Sequence, residues 1–235
     1  MKEQLESESD RIRQEFRRRE EQIPPEFYSL CRPANLFSRH GKERALLAAL
    51  HRAKLLPLAE RRLLDIGCGR GDWLAVFENF EARRELIAGI DLDAQRAEIA
   101  ARRFAGADIR EGDAAELPWP DRHFDIVFQS TVFTSILDED MKRAVAAQMV
   151  RVLKPLGAII WYDFLMNNPR NSQVRGIGRR EIASLFPGFE ISLRRVTLAP
   201  PLMRRVVPIS WSLAALLEKM RLLNVFYLAV LRRNG

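Results

Sequence analysis

Three glycines at alternate positions end an apolar stretch of the chain. Residues 63–71 read LLDIGCGRG, so Gly67, Gly69 and Gly71 directly follow a short apolar run. Such a run is typical of a buried parallel strand that turns into a helix. Because glycine has no Cβ and adopts positive φ, the turn lets a ligand lie close to the backbone, and the first N–H groups of the helix point towards it. A tight turn that binds nothing is the alternative.

Three carboxylates accompany three successive apolar runs. Asp65 lies in the run before the glycines, and Asp91 and Asp113 follow the next two runs. Open α/β sheets bind ligands at the edge where the carboxyl ends of parallel strands meet. A carboxylate about 20 residues beyond a glycine loop can accept both ribose hydroxyls of a nucleoside, so Asp91 is a candidate for ribose, and Asp113 with Ala114 for the adenine edge. Each aspartate alone could cap a helix or a turn; together they favour a nucleoside site.

The surrounding pattern predicts the elements that position these residues. A charged helix over 3–22 ends at Pro24-Pro25, and a second helical element follows over 42–55. Apolar runs then alternate with segments of helical periodicity, which favours right-handed βαβ units and a parallel, doubly wound sheet. The predicted strands cover 63–66, 85–93, a short stretch from 108, 124–133, 158–164, 190–198 and 225–231, and the helices cover 72–80, 94–104, 138–152, 179–186 and 210–220.

Composition limits the class of protein. The chain has 235 residues, enough for one α/β domain with additional elements, and its mean hydropathy is −0.19. No apolar run reaches the roughly 18 residues of a membrane span, and the N-terminus is charged where a signal peptide would be apolar. Cys31 and Cys68 form no CxxC pair and the histidines form no HxxxH motif, so we expect a reduced, cytoplasmic protein without a metal site.

Positive charge is concentrated in the last quarter of the chain. The formal net charge is +7, and residues 170–235 carry twelve basic residues against three glutamates. This excess favours an anionic partner: a phosphorylated substrate, an acidic lipid surface or nucleic acid. A solvated arginine-rich face is the alternative.

An ordered set of motifs over residues 60–165 resembles the class I S-adenosylmethionine-dependent methyltransferases. LLDIGCGRGDW looks like the glycine-rich first motif of that family, and GIDLD like its acidic, ribose-binding strand. GDAAELPWPDRHFDIVF is similar to its adenine loop and fourth strand, and MVRVLKPLG to the helix and turn before its fifth strand. Leu156 stands where the family usually has glycine. This difference affects the expected geometry of the turn and does not affect the binding of the cofactor. The dehydrogenase pattern GxGxxG is not met, because Asp72 takes its last position.

The resemblance implies a fold and a domain organisation. We expect an α/β, mostly parallel, doubly wound sheet of seven strands (a Rossmann-like methyltransferase fold) whose last strand is antiparallel and lies beside the sixth. Residues 1–24 would form a charged helical arm, and residues 25–60 a helical segment able to act as a lid. Residues 61–235 would form the methyltransferase domain, with 198–223 as a helical insertion before the last strand.

The resemblance also implies S-adenosylmethionine as cofactor and a role for each matched residue. The loop residues would wrap the methionine part and the ribose: Gly67, Cys68, Gly69 and Gly71. Asp65 would orient the loop or the ammonium group. Asp91 would bind the ribose diol, Leu92 one face of adenine, and Asp113 with Ala114 the adenine edge, while Gln129 would line the channel of the methyl group.

Methyl transfer from a sulfonium needs chiefly alignment and exclusion of water. A general base is needed only where the acceptor must lose a proton. The candidates are Asp163 and Tyr162 after the fifth strand, and His40 or Tyr28 if the N-terminal segment closes over the site. A structural role is the alternative for each.

We expect the acceptor to be a small molecule with an apolar and an anionic part. The insertion at 198–223 combines Arg204-Arg205 with an apolar helix, and Arg170 and Arg175 could pair with the anionic group. A helix simply packed over the sheet is the alternative. The N-terminal arm could also contact a second subunit in a homodimer.

Three other functions compete with this one. An RNA methyltransferase could use the basic C-terminal face, but the chain contains no recognisable RNA-binding module, and QSTV stands at 129–132 where an NPPY-like motif would be expected. The chain could instead hold S-adenosylmethionine without catalysis, or lie on a membrane surface through helix 210–220.

Overall fold

A seven-stranded sheet in the order β3-β2-β1-β4-β5-β7-β6 organises the computed structural model, which describes residues 2–168 and 171–234. Strand β7 is antiparallel to both of its neighbours, and the other recorded pairings are parallel. This confirms the predicted fold class, including the antiparallel last strand between the fifth and sixth. The strands are β1 Leu63–Ile66, β2 Ile87–Asp91, β3 Asp108–Glu111, β4 Phe124–Ser130, β5 Leu153–Phe164, β6 Phe189–Leu198 and β7 Asn224–Arg233.

Helices cover both faces of the sheet, and the central strands β1 and β2 are therefore buried on both sides. One face packs against Met141, Val145 and Met149, and the other against Leu50 and Phe77. The helices are α1 Lys2–Gln22, α2 Pro33–Arg52, α3 Asp72–Asn79, α4 Ala94–Arg103, α5 Glu139–Val152, α6 Arg179–Leu185, α7 Pro200–Val206 and α8 Trp211–Met220. In the described part of the chain, none of them is long and apolar enough to cross a membrane.

Several element boundaries differ from the sequence prediction. Helix α2 begins at Pro33, since proline at a first helical position loses no hydrogen bond. Strand β4 ends at Ser130, and a short 3-10 turn at Phe133–Ser135 follows it. No separate turn follows α5: β5 starts at Leu153, and Leu156 lies in it with 94% of its surface exposed.

The insertion contains a helix that the sequence pattern did not predict. Helix α7 starts at Pro200 and packs with α8 on α2 around a small separate core. The members of this core are Ala34, Phe37, Leu198, Met203, Val207 and Ala214. The insertion is therefore anchored to α2 at the β6 and β7 side of the sheet.

Candidate active site

The glycine loop joins β1 to α3 and is fastened to the end of β2. All three glycines have positive φ, +68° at Gly67, +55° at Gly69 and +83° at Gly71. The N–H of Gly67 donates to the carbonyl of Ile90 at 2.8 Å. A Cβ on Gly67 would lie 2.6 Å from the Val132 side chain. Position 67 therefore requires glycine for two reasons: its φ is left-handed, and the Val132 side chain leaves no room for a Cβ.

Asp65 is a buried carboxylate beneath this loop. Only 1% of its surface is exposed, and neither carboxylate oxygen has a hydrogen-bond partner among the described residues. Burial, helped by the nearby charge of Asp91, raises the pKa of Asp65 well above its usual range. A buried acceptor without a donor is costly. The position therefore suits a ligand that brings an ammonium group to the loop.

Asp91 connects the loop to the next strand. Its carboxylate accepts hydrogen bonds from the N–H groups of Gly69 at 2.7 Å and Asp93 at 3.1 Å. These bonds fix the carboxylate, and since an ionised carboxylate has about four acceptor sites, capacity for ribose hydroxyls remains. Leu92 follows directly and packs against the core. Asp93 caps α4 by accepting from the N–H of Arg96.

Asp113 lies in the loop after β3, together with Ala114. Its carboxylate accepts from the N–H of Ala115 at 2.8 Å and from the hydroxyl of Ser9 at 2.6 Å. Ser9 belongs to α1. The predicted adenine-binding carboxylate is thus already paired with the N-terminal helix.

Helix α1 lies across the predicted nucleoside site. Arg13 donates to the carbonyl of Leu92 at 3.2 Å. The Arg96 guanidinium lies 4.6 Å from the centroid of the Phe16 ring, and one of its nitrogens lies 2.7 Å from where a Cβ on Gly69 would be. The sequence pattern indicated only a charged arm here, because contacts to residues some 80 positions away leave no local signal.

Further contacts anchor the first half of α1. Glu8 accepts from the N–H groups of Leu137 at 2.6 Å and Asp138 at 3.2 Å. Arg11 donates to the carbonyl of Ser135 at 2.6 Å, and Ile12 is buried in the core beside the sheet. The helix that covers the cleft is therefore α1, while α2 contacts β6, β7 and α7.

Asp163 is the penultimate residue of β5 and contacts the turn after β4. It is fully buried and accepts from the Thr134 hydroxyl at 2.6 Å and from the N–H groups of Thr134 at 3.3 Å and Phe164 at 3.0 Å. Burial raises the pKa of Asp163 to about 7, and these hydrogen bonds oppose the rise. Gln129, also fully buried, accepts from the N–H of Val132 and so shapes the same turn.

Of the other candidate bases, Tyr162 is buried with its hydroxyl 2.9 Å from that of Thr197, and the two in the N-terminal segment lie elsewhere. Tyr28 is 65% exposed and contacts Phe27 edge to face, and His40 is exposed with its ring 6.3 Å from that of Trp211. No recorded hydrogen bond or ring contact in the described part of the chain joins either of them to the glycine loop or to Asp163. Of the two predicted anion-binding arginines, Arg175 pairs with Glu181 at 2.9 Å, and Arg170 lies outside the described residues.

Lys42 is a feature of the site that sequence reasoning missed. Its ammonium lies 5.4 Å from the Tyr162 ring centroid and 5.7 Å from that of Phe226. Trp73, at the start of α3, lies 5.9 Å from Tyr162. Burial, with the nearby charge of Arg39, lowers the pKa of Lys42 to about 8. Among the described residues no carboxylate forms a salt bridge with Lys42, so a cation lies on an aromatic floor formed by Tyr162 and Phe226.

The comparisons with known proteins agree with this geometry. Residues 63–157 match the family model described as a methyltransferase domain. Over 162 residues the chain is 32% identical to 27-O-demethylrifamycin SV methyltransferase of Amycolatopsis mediterranei, covering 63% of this chain and 58% of the relative. Over 147 residues it is 32% identical to demethylmenaquinone methyltransferase of Deinococcus radiodurans, covering 60% and 57%. A SAM dependent methyltransferase from Archaeoglobus fulgidus has the same fold, with a TM-score of 0.58 over 85% of this chain and 98% of that one at 17% identity.

The chain carries a methyltransferase domain over residues 63–157 and has the fold of the S-adenosylmethionine-dependent methyltransferases, whose cofactor is S-adenosylmethionine. It spans somewhat less than two thirds of the length of the two relatives. The residues present fit this cofactor. Asp65 is an unpartnered acceptor beneath a loop of obligatory glycines, and Asp91 is held at the end of β2.

Proposed function

We propose that the protein transfers a methyl group from S-adenosylmethionine to a small-molecule acceptor with an apolar and an anionic part. The observation that carries the proposal is the orphaned, buried carboxylate of Asp65 beneath the glycine loop. A dinucleotide offers no ammonium group there, whereas the methionine part of S-adenosylmethionine does.

The residues around the loop would hold the donor. Asp65 would compensate the ammonium charge, and Asp91 would accept from the ribose hydroxyls. Leu92 would cover adenine, and Asp113 with Ala114 would bind its edge once Ser9 releases the carboxylate. The bound donor supplies an electrophilic methyl group, so the chain's task is to align the acceptor and exclude water. Helix α1, seated over the cleft, serves the second purpose.

The acceptor would lie at the edge of this aromatic floor, beside the half-buried Trp73, with its anionic part near Lys42. The rings of Tyr162 and Phe226 are themselves buried beneath the ammonium. An ammonium over aromatic rings, without a carboxylate partner among the described residues, favours an anionic counterpart. The two relatives are named for small-molecule acceptors, which supports this class of substrate.

Asp163 is the candidate base nearest to this floor in sequence, directly after Tyr162. Asp163 accepts three hydrogen bonds, two of them from Thr134. With these bonds in place, Asp163 positions the turn that contains Thr134. A pKa of about 7 would let it take up a proton near neutral pH if the turn released it.

The experiment is a methyl-transfer screen with S-adenosylmethionine carrying a labelled methyl group and a cell extract separated into small-molecule and RNA fractions. We expect label in an organic-soluble product with wild type and no labelled product with Asp65→Asn. Lys42→Met should raise the KM of that acceptor and leave donor affinity unchanged, while Lys42→Arg should retain most of the activity. Label only in RNA, or no labelled product at all, would contradict the proposal.

A further inference from the structure

The segment after β6 exposes more large apolar side chains than any other described stretch of similar length. Ile209 is 83% exposed, Leu222 74%, Leu216 57% and Met220 55%, and Leu213 and Leu223 are each 46% exposed. Single exposed apolar residues are ordinary, whereas a contiguous group marks an interaction surface. These six residues are termed the apolar face below.

The apolar face is not an unfinished part of the core. In α8, Leu213, Leu216 and Met220 are spaced i, i+3 and i+7, so they share one side of the helix. The opposite side is already packed, with Ala214 fully buried and Trp211 edge to face on Phe37 at 5.1 Å. Helix α8 therefore packs one apolar side against the protein and exposes a second apolar side to solvent.

Cations border this face. Arg204, Arg205, Lys219 and Arg221 are exposed within the same segment. The one acidic residue between 198 and 223, Glu218, is turned inwards, with its side chain 16% exposed and 3.4 Å from Arg44. Beside α8 lies a cavity of about 300 Å³, lined in part by four cations and by Glu218; the cations are Arg44, Arg195, Lys219 and Arg221.

We propose that this surface docks on an anionic phospholipid bilayer. The apolar face would enter the boundary between head groups and acyl chains, and the bordering cations would pair with lipid phosphates. Charge complementarity favours this occupant over a second copy of the chain, because two such faces would bring like charges together. The cavity beside α8 gives room for a head-group phosphate among its cations.

Vesicle flotation tests the proposal on the full chain. Vesicles of neutral phosphatidylcholine are compared with vesicles that also contain roughly 30% anionic phosphatidylglycerol. We expect wild type to float with the anionic vesicles only, and added salt to weaken the binding. The triple variant Leu213→Ser, Leu216→Ser, Met220→Ser and the double variant Arg205→Glu, Lys219→Glu should each reduce partitioning at least about tenfold.

A matched control carries the same types of change elsewhere. Leu156 is 94% exposed near the start of β5, outside the insertion, and Arg102 is exposed on α4. The variant Leu156→Ser, Arg102→Glu should float like wild type. All variants change exposed side chains, so their unfolding transitions and their affinity for S-adenosylmethionine should match wild type.

Three results would overturn the proposal. The first is wild type that stays unbound in the presence of anionic vesicles, and the second is a triple variant that floats as well as wild type. The third is a wild-type dimer in sedimentation velocity that the triple variant abolishes, without binding to vesicles, since the apolar face would then bind a second copy of the chain. Donor affinity, measured in parallel, keeps this outcome separate from a failure of the proposed methyltransferase function.

Discussion

The donor side of the cleft and the insertion side differ in how their polar groups are used. On the donor side, the glycine loop is tied to β2 by backbone hydrogen bonds, and Asp65 and Asp91 are buried. On the insertion side, cations and apolar side chains face outwards, and Lys42 lies on aromatic rings. The first arrangement is preorganised for one ligand of fixed shape, whereas the second fits a class of ligands. Four substitutions test this contrast between the two sides.

The largest effect is expected for Asp91→Ala, measured by calorimetric titration with S-adenosylmethionine. Loss of a charge-assisted contact to the ribose should weaken donor binding by about 2–4 kcal/mol. Asp93→Ala is the control: it removes the cap of α4, which should cost about 1 kcal/mol of unfolding free energy without a comparable loss of donor affinity. Equal donor affinity in wild type and Asp91→Ala would refute the ribose assignment.

Gly71→Ala should destabilise the loop more than Gly188→Ala does. Both glycines have similar φ, +83° and +79°, so both substitutions introduce backbone strain. A Cβ at 71 would lie 2.4 Å from the Phe104 ring, whereas at 188 it would meet nothing within 4 Å. We expect an additional loss of about 1–3 kcal/mol in urea unfolding for Gly71→Ala. Equal losses would show that the loop is not closely packed.

The pH dependence of stability reports on Lys42. Its folded pKa of about 8 lies below the ordinary 10.5, so the unfolded chain holds the proton more tightly and the unfolding free energy rises between these two pH values. Relative to Lys42→Met, wild type should gain about 1–3 kcal/mol over that interval in urea unfolding. Lys219→Met, a change at an exposed lysine, is the control. A flat difference between wild type and Lys42→Met would place the ammonium in water.

The smallest effect concerns the contact between α1 and the donor side. Ser9→Ala frees the Asp113 carboxylate, so binding of S-adenosylmethionine should strengthen by about 0.5–1.5 kcal/mol in calorimetry. Ser7→Ala, at an exposed position on the same helix, should change nothing. Weaker binding in Ser9→Ala would mean that Ser9 contributes to the donor-bound state.

The same contrast explains what the sequence could predict. The donor side depends on local signals: alternating glycines, strand-end aspartates, and helix caps such as Asp93 and Asp138. The seven-stranded, mostly parallel sheet with an antiparallel last strand beside the sixth followed from the family resemblance. By contrast, three features depend on contacts between distant parts of the chain. They are the packing of α1 on Leu92 and Asp113, helix α7, and the aromatic floor beneath Lys42. Periodicity and spacing carry no information about such contacts.

The central claim is that the glycine loop with Asp65 and Asp91 binds S-adenosylmethionine. Calorimetric titration of the wild-type protein with S-adenosylmethionine tests it most directly. We expect saturable binding at one site, weakened in Asp65→Asn although that substitution removes a buried carboxyl group that has no hydrogen-bond partner among the described residues. Absence of binding, or equal affinity in wild type and Asp65→Asn, would contradict it.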